Sequence, residues 1–540
     1  MARGWDLNSV RNRLTVHHGM VAVIVAVWAL LYLNGLGDHP LRVWDESRYA
    51  NPARHMVGGG SWLDPRIRVN THSADLGLTP RLVKPPLVYW LQATSMSAFG
   101  ITTFAARLPS ALAALGCAGV VYRVGQRTYD YRAGLAGALV LLVFPGLLLG
   151  SHGGRAAVTD TTLTLFGSLF VWFTWRGRNR PRLLVPAGLC AGLAVMTKGV
   201  AAGVFVVVLL PVLLRFARSY RTPWTVAAVV TTIVVAVPWH LYTWLRHGDE
   251  FVEQYFLTAV ASRVEGEMTG PPVEPIFEFM NYPYFRFAVD LFVPPYPYAL
   301  PAFGLGLLSA LVLIGWLVRR DGLAHQEKLF LVWWAAAVPL TFAVAGGNHP
   351  WYLIPMYVPG AVLVGYVPAA VVDGTVGTAI CRASRGTVPR VPVVTRVRQR
   401  FRFQPLATGS ERTISAVRTA AYVAVCLVVT VLLVTSYAPG PAEPHDRDQR
   451  AIGDAVATEV PAEESIHVWL GGSIDRPDLM AIPFYADRPL VETSLEELCS
   501  DSRIRYAIVP SANRDCLDRS HSVLVESPTQ DILVVEFPSQ

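Results

Sequence analysis

The sequence predicts a polytopic α-helical membrane protein with a small α/β domain at its C-terminal end. Three observations carry this reading. Apolar stretches of about 17–23 residues recur along the chain, the length a helix needs to cross ~30 Å of hydrocarbon. The 540 residues are 52% hydrophobic and 16% charged, against roughly 45–50% and ~25% in soluble domains. The remaining charges sort by loop and by sign. A soluble core helix can be apolar all round, but not so many times in one chain.

Spans are expected at 16–36, 104–124, 133–150, 161–176, 183–197, 200–216, 223–243, 296–318, 328–346, 351–372 and 415–437. Pro86–Phe99 is apolar but too short and too amphipathic to count, so the fold class is put at about 11 to 13 transmembrane helices. Basic clusters alternate along the chain: Arg3, Arg11 and Arg13; Arg123, Arg127 and Arg132; Arg176, Arg178, Arg180 and Arg182; Arg215, Arg218 and Arg221; Arg319, Arg320 and Lys328; and the stretch 373–414, from Arg382 to Arg412. Eleven spans put all of them on one side, which the positive-inside rule makes cytoplasmic. The intervening loops hold Asp45, Glu46, Asp64, Asp160, Glu253 and Glu265. The N-terminus is therefore expected in the cytoplasm and the C-terminus outside the plasma membrane. No small-residue cleavage site follows the first span, which reads as an anchor. The basic loops read as topology determinants drawn to anionic lipid heads, not as nucleic-acid contacts.

The expected organisation is a membrane domain over 1–437, with a first outer loop at 37–86 and a basic cytoplasmic loop at 373–414, then an extracytoplasmic domain over 438–540. The tail from Pro441 carries a net charge of −11 and no lysine, against +18 for the rest. An acidic, lysine-free exterior fits a protein facing high salt, as in a haloarchaeon. Short β-type runs at Ser465–Leu470, Arg505–Pro510, His521–Glu526 and Ile532–Phe537 alternate with helical pieces near Asp478–Ala486 and Ser494–Ser500. Cys117, Cys190 and Cys426 lie in apolar spans and behave as small hydrophobes. Cys499 and Cys516 are either a disulfide closing a short loop or two thiols. No CxxC or Cys/His spacing suggests a metal site.

The first outer loop is longer than a connection needs and is rich in functional side chains. Its start, Trp44-Asp45-Glu46-Ser47-Arg48-Tyr49-Ala50, places Asp45, Arg48 and Tyr49 on one face if helical, with Pro52 as a limit or kink. That face either binds a charged head group and takes a proton, or is a solvated helix with a surface ion pair. Asp160, after Arg155, opens a span and either caps it or faces a cavity. Only three lysines occur among 46 basic residues, and Lys84 and Lys198 both reach the outer face. They meet a lipid phosphate as point charges or snorkel to head groups. Arg81, close to Lys84, is a further candidate. In the outer segment from Gly346 to Tyr352, His349 and Tyr352 lie at the interface and Trp351 reads as an aromatic-belt residue. No GxxxxGK[ST] loop, Rossmann fingerprint or HExxH occurs, which argues against an ATP-driven pump or a cytosolic nucleotide-sugar site. Spans nearly free of charge favour an outer-face enzyme over a secondary transporter.

Asp45-Glu46-Ser47-Arg48-Tyr49-Ala50, Lys84-Pro85-Pro86 running into Tyr89-Trp90, Thr159-Asp160, Thr197-Lys198-Gly199, Pro238-Trp239 and Trp351-Tyr352-Leu353-Ile354-Pro355 together resemble the membrane-embedded GT-C glycosyltransferases of the protein O-mannosyltransferase and lipid A aminoarabinose transferase type (glycosyltransferase family 39-like), over roughly residues 16–372. The resemblance implies inverting transfer of a sugar, mannose favoured, from a polyprenyl or dolichyl phosphate to a protein or lipid-linked glycan outside the cytoplasm. It implies Asp45 as catalytic base, with Glu46 and Asp160 as the accompanying catalytic carboxylates. Arg48, Lys84, Lys198 and Tyr352 would hold the donor phosphate, and Tyr49, Arg81, Arg155, His349 and Arg263 are further candidates. Where aminoarabinose transferases carry a Glu and a His associated with a metal, this chain has Val83 and, in register with Arg263, Val260. That departure argues against a bound zinc and against lipid A as acceptor, and leaves a divalent cation unassigned. A lipid or glycan transporter and a scaffold with a solute-binding tail are the alternatives.

Overall fold

Apolar segments in lipid become helices because a helix satisfies its own backbone polar groups. The computed structural model describes residues 7–69, 77–261, 323–344, 350–372, 444–470, 479–517, 520–527 and 531–538. The helices are α1 (Leu7–Trp28, continued by a wider turn to Leu33), α2 (Asp45–Val57), α3 (Leu87–Phe99), α4 (Thr103–Thr128), α5 (Tyr131–Val143), the single turn α6 (Pro145–Leu148), α7 (Asp160–Gly177), α8 (Leu184–Lys198), α9 (Gly203–Arg215), α10 (Pro223–Val252), α11 (Leu323–Val344) and α12 (Ile354–Val372). Nine of the expected spans fall on these helices; 296–318 and 415–437 lie outside the described residues, as does the basic stretch 373–414. The span expected to reach residue 150 breaks at Phe144-Pro145, because the proline cannot continue the hydrogen-bond ladder. Among the described residues, Thr103–Thr128, Pro181–Arg215 and Pro223–Leu257 are long and apolar enough to cross a membrane. α10 leaves Val226, Val230, Val234, Leu241 and Leu245 exposed, an apolar face that fits contact with lipid.

Small residues set how closely the helices approach. A Cβ on Gly125 of α4 would lie 2.8 Å from the Gly134 Cα of α5, so the two backbones touch as small-residue interfaces in membranes allow.

α2 runs through Pro52 to Val57 instead of stopping at the proline. It leads to a two-stranded ribbon, β1 (Arg66–Ile67) against β2 (Thr79–Pro80), and then to α3. Pro86–Phe99, discounted as a span, becomes this thirteen-residue helix, packed on α2 through Tyr89, Ala93 and Met96.

One buried ion pair ties this loop to the bundle. Arg107 of α4 donates from Nε (2.8 Å) and Nη2 (2.7 Å) to the two oxygens of Glu46. Its remaining N–H groups go to the carbonyls of Leu36, His39 and Pro40. Glu46 also accepts from the backbone N–H of Arg42 and of Ala157, at 2.9 and 2.7 Å. All five guanidinium donors are thus used, and both carboxylate oxygens accept twice. Burial would raise the Glu46 pKa, but Arg107 outweighs it and holds the carboxyl below its ordinary range.

The C-terminal region forms the sheet β4-β3-β5-β7-β6 from β3 (Ile466–Val468), β4 (Leu490–Glu492), β5 (Tyr506–Pro510), β6 (Ser522–Ser527) and β7 (Ile532–Glu536). β3 is parallel to β4 and β5, while β7 is antiparallel to β5 and β6. Helices α13 (Pro444–Glu459), α14 (Ile482–Ala486) and α15 (Leu495–Ser500) accompany it. The four expected strands and two expected helical pieces are all present. α13 and β4 were not anticipated: α13 is polar on average, with its apolar face confined to a few residues such as Ile452 and Val456, and β4 has only three residues. The region seats directly on the segment that joins the first helix to α2 and on α2 itself. Val43 N–H donates to Asp446, Leu41 N–H to the Tyr485 hydroxyl, and the Asn51 amide to the Met480 carbonyl, at 2.9, 2.7 and 2.8 Å. Cys499 lies in α15, while the Cys516 side chain is outside the described residues, so the expected pairing stays a sequence expectation.

Replacing Glu46 by Gln leaves Arg107 charged and buried without its counter-charge. The expected cost is about 3–5 kcal/mol, read as a lowered unfolding midpoint in detergent. An unchanged midpoint would show that the pair does not hold the loop.

Candidate active site

Trp44, immediately before α2, has φ of +76°, a conformation that bulky L-residues rarely adopt. The strain, of order 1–3 kcal/mol, is held by the Asp446 and Tyr485 contacts on one side and by Glu46 on the other. It starts α2 at Asp45, whose carboxylate lies beside His152 and in the field of Arg48 and Lys198. The start of α2, the end of α8 and the turn Pro350–Leu353 thus frame one candidate site, called the cleft below.

A chain of contacts runs outward from Asp45. Asp45 Oδ1 lies 3.5 Å from His152 Nε2. The His152 ring stacks face to face on Trp351, centroids 3.9 Å apart and planes at 9°. Trp351 meets Tyr352 edge-on, and the Lys198 ammonium sits 5.3 Å from the Tyr352 ring centroid. Lys198 donates to Asp160 Oδ1 at 2.6 Å, while Asp160 Oδ2 is buried without a hydrogen-bond partner among the described residues. Of the ionic groups, Asp160 is buried and Lys198 partly so, whereas Asp45 keeps 37% of its side-chain surface. Burial would raise the Asp45 pKa, but His152, Arg48 and Lys198 together hold it below the ordinary carboxylate range.

Arg48, one turn along α2, stacks on Trp44 with 4.7 Å to the ring centroid. Burial, reinforced by the like charge of Arg81, lowers its pKa to about 10. Two guanidinium groups within each other's field are an arrangement an anion would relieve. Tyr49 packs on Tyr89, ring centroids 5.8 Å apart, and burial raises its pKa. Lys84 and Arg81 are both buried in the segment that leads into α3.

The structure therefore brings Asp45, Arg48, Tyr49, Arg81, Asp160, Lys198 and Tyr352 to one end of the bundle. It revises four readings. Asp160 does not cap α7: Thr159 holds the cap position and the carboxylate goes to Lys198. Glu46 has no lone pair left for a substrate, since Arg107 and two backbone N–H groups occupy its oxygens. Arg155 is spent on the carbonyls of Leu31 and Asn34 at the end of the first helix. Trp351 stacks on His152 instead of standing in a lipid-facing belt. His349 and Arg263 lie outside the described residues, as does the Val260 side chain. His152 and Arg107 were missed. Arg107 is one arginine among 43 and begins an apolar span, and His152 sits in an irregular Gly-rich segment with no periodicity, so neither carried a local signal.

Gly199, in the Thr197-Lys198-Gly199 motif, has φ of +59°, and a Cβ there would run into the Tyr255 hydroxyl. The glycine lets the chain turn sharply after Lys198 and leave its ammonium in the cleft.

Residues 83–242 match the model of the family described as dolichyl-phosphate-mannose-protein mannosyltransferase. The undecaprenyl phosphate-alpha-4-amino-4-deoxy-L-arabinose arabinosyl transferase of Pseudomonas aeruginosa (strain UCBPP-PA14) is 28% identical over 354 residues, 64% of this chain and 58% of that protein. The enzyme of the same name from Pseudomonas paraeruginosa is 29% identical over 355 residues, with the same shares covered. The chain thus spans 58% of the length of these curated relatives. The solved structure of ArnT from Cupriavidus metallidurans bound to undecaprenyl phosphate matches with a TM-score of 0.62 at 18% identity, covering 96% of this chain and 98% of that one. The archaeal oligosaccharyltransferase AglB from Archaeoglobus fulgidus, in complex with an inhibitory peptide and a dolichol-phosphate, matches with a TM-score of 0.51 at 13% identity, covering 98% and 74%. The chain thus shares the fold of ArnT and AglB, and in sequence it is similar to the aminoarabinose transferases and, over residues 83–242, to the dolichyl-phosphate-mannose-protein mannosyltransferases.

Proposed function

We propose that the chain is an inverting glycosyltransferase that moves a sugar from a polyprenyl phosphate to an acceptor hydroxyl at the cleft around Asp45. The observation that carries this reading is the pairing of a partly exposed carboxylate, held below its ordinary pKa, with a cluster of buried and half-buried cations. Asp45 takes the proton of the acceptor hydroxyl. The acceptor oxygen then attacks the anomeric carbon from the side opposite the phosphate. The bond from that carbon to the phosphate oxygen breaks, and the polyprenyl phosphate leaves with the electron pair. Arg48, Arg81, Lys84 and Lys198 stabilise the charge that develops on it. Asp160 fixes the Lys198 ammonium, and its free Oδ2 is placed to accept a hydroxyl of the bound sugar. His152, held by Trp351, orients Asp45 and keeps it ionised.

Two features bear on the substrates. The mannosyltransferase family match and the neutral residue at Val83 favour a neutral sugar, with mannose first and dolichyl-phosphate mannose as its donor. Val83 is a buried aliphatic side chain and offers a metal no donor atom, so the zinc of the aminoarabinose transferase pattern does not fit there. The acceptor, a protein or a lipid-linked glycan, lies on the same side as the cleft, proposed as the external face.

The test is transfer of radiolabelled mannose from dolichyl-phosphate mannose by membranes holding equal amounts of wild-type or Asp45→Asn protein. Loss of the base is expected to lower the rate by about 10²–10⁴-fold; full transfer by the variant would sink the assignment. A wild type inactive with mannose but active with another lipid-linked sugar would move the donor and keep the mechanism.

The pH profile supplies a second expectation. A base with a lowered pKa stays ionised further into acid, so the acid limb of kcat/KM should fall below the ordinary carboxylate range. His152→Gln removes one of the groups that lower that pKa, and the limb should shift to higher pH. An unmoved limb would remove His152 from the pair.

A further inference from the structure

Beyond the group around Asp45, α2 carries a second set of cations where α2 and the β1–β2 ribbon meet the C-terminal region. Arg54 and His55 from α2 and Arg66 and Arg68 from the ribbon line a small pocket closed by Pro483 and Asp487. The charges there do not balance locally. Arg54 and Arg68 share the single carboxylate of Asp487, at 3.4 and 3.9 Å, and that carboxylate is half exposed. The other acid nearby, Asp64, is already committed to Arg66 at 3.1 Å, Arg246 at 3.4 Å and His247 at 2.9 Å. Arg54 is held in place by the Phe484 carbonyl, yet its Nε is buried without a hydrogen-bond partner among the described residues. Burial together with the fields of Arg68 and Arg66 depresses the His55 pKa. The His55 ring lies against Gly60, where any Cβ would overlap it.

We propose that this pocket is a second anion site, taking a phosphate or carboxylate group of the acceptor; the proposal rests on reading the protein as a glycosyltransferase. Arg54 stands nine residues after Asp45 on the same helix, which sets the two about 14 Å apart along its axis. That span suits an acceptor whose hydroxyl meets Asp45 while an anionic group a sugar or two away sits among Arg54, Arg66 and Arg68. The exposed Asp487 carboxylate occupies the pair in the meantime and swings aside when a better-matched anion arrives. An oxyanion on two guanidinium groups forms the charge-assisted, forked hydrogen bonds that arginine favours.

The experiment is equilibrium binding of inorganic phosphate to the full-length protein in detergent at fixed ionic strength. The variants are Arg68→Gln, Asp487→Asn and Lys198→Gln. Wild type should bind two equivalents, one at each site. Arg68→Gln should weaken one of them by on the order of tenfold, and Asp487→Asn should tighten the same one, since it removes the competing carboxylate. Opposite shifts cannot come from a general loss of fold. Lys198→Gln should affect only the other equivalent. A single equivalent, lost with Lys198 and indifferent to Arg68 and Asp487, would overturn the second site and leave the donor site standing. A single equivalent answering only to Arg68 and Asp487 would support the second site while removing the phosphate-binding basis of the transferase reading. In transfer assays, Arg68→Gln should raise KM for an anionic acceptor and leave KM for the lipid-linked donor unchanged. A donor effect instead would overturn the acceptor assignment. A soluble phosphate monoester and a phosphate-bearing lipid, offered as competing acceptors, tell which source carries the anion.

Discussion

The buried ion pair between Glu46 and Arg107 is the constraint on which the site depends. An isolated charge in this place would cost far more than any contact it made, so each group is tolerable only with the other present. Their hydrogen bonds reach the turn after the first helix at Leu36, the segment before α2 at His39 and Pro40, the first turn of α2 and the segment at Ala157. Asp45 is the neighbour of one end of this network, and Asp160 lies three residues beyond the other. The distance between the two carboxylates is thus set by a group that touches neither substrate nor cleft.

Around that pair, the same few positions are secured repeatedly. Ala157 gives its N–H to Glu46 and its carbonyl to the Gln92 amide, and the next carbonyl, of Val158, accepts from Ser110. Three separate elements therefore hold the strand of chain leading into Asp160. On the opposite side, the C-terminal region fixes Leu41, Val43 and Asn51 of the loop. A strained φ at Trp44 persists only where its surroundings over-determine it, and here both flanks do. Pre-organisation of this kind is what a reaction driven by positioning and electrostatics requires.

The electrostatic pattern is also economical in its use of burial. Asp45 is kept ionised by His152, Arg48 and Lys198, yet stays accessible enough to meet a proton donor. Lys198 is neutralised on one side by Asp160 and faces the Tyr352 ring on the other, so its ammonium is held without being consumed by a bidentate partner. Arg48 and Arg81 repel each other in a low-dielectric setting, which raises the gain from an anion that binds both. These features favour a transferase over a conduit, whose charges would line a path through the bundle.

Much of this was legible in the sequence. The helices at 16–36, 104–124, 161–176 and 223–243 followed from apolar length alone, because hydrocarbon admits little else. The candidate residues Asp45, Arg48, Lys84, Asp160 and Lys198 stood out as charges where charge is scarce. The strands of the C-terminal region announced themselves by short β-branched runs. What the sequence could not determine was which charge does what. Glu46 and Asp45 are adjacent and chemically alike, but only the fold places Arg107, 61 residues away, against one of them and His152 against the other. Nor could it show that Trp351 stacks on a histidine, or that α2 is shared between the membrane bundle and the C-terminal sheet. Local composition determines which segments can enter lipid. Roles depend on burial and on partners distant along the chain, and those exist only once the tertiary structure has formed.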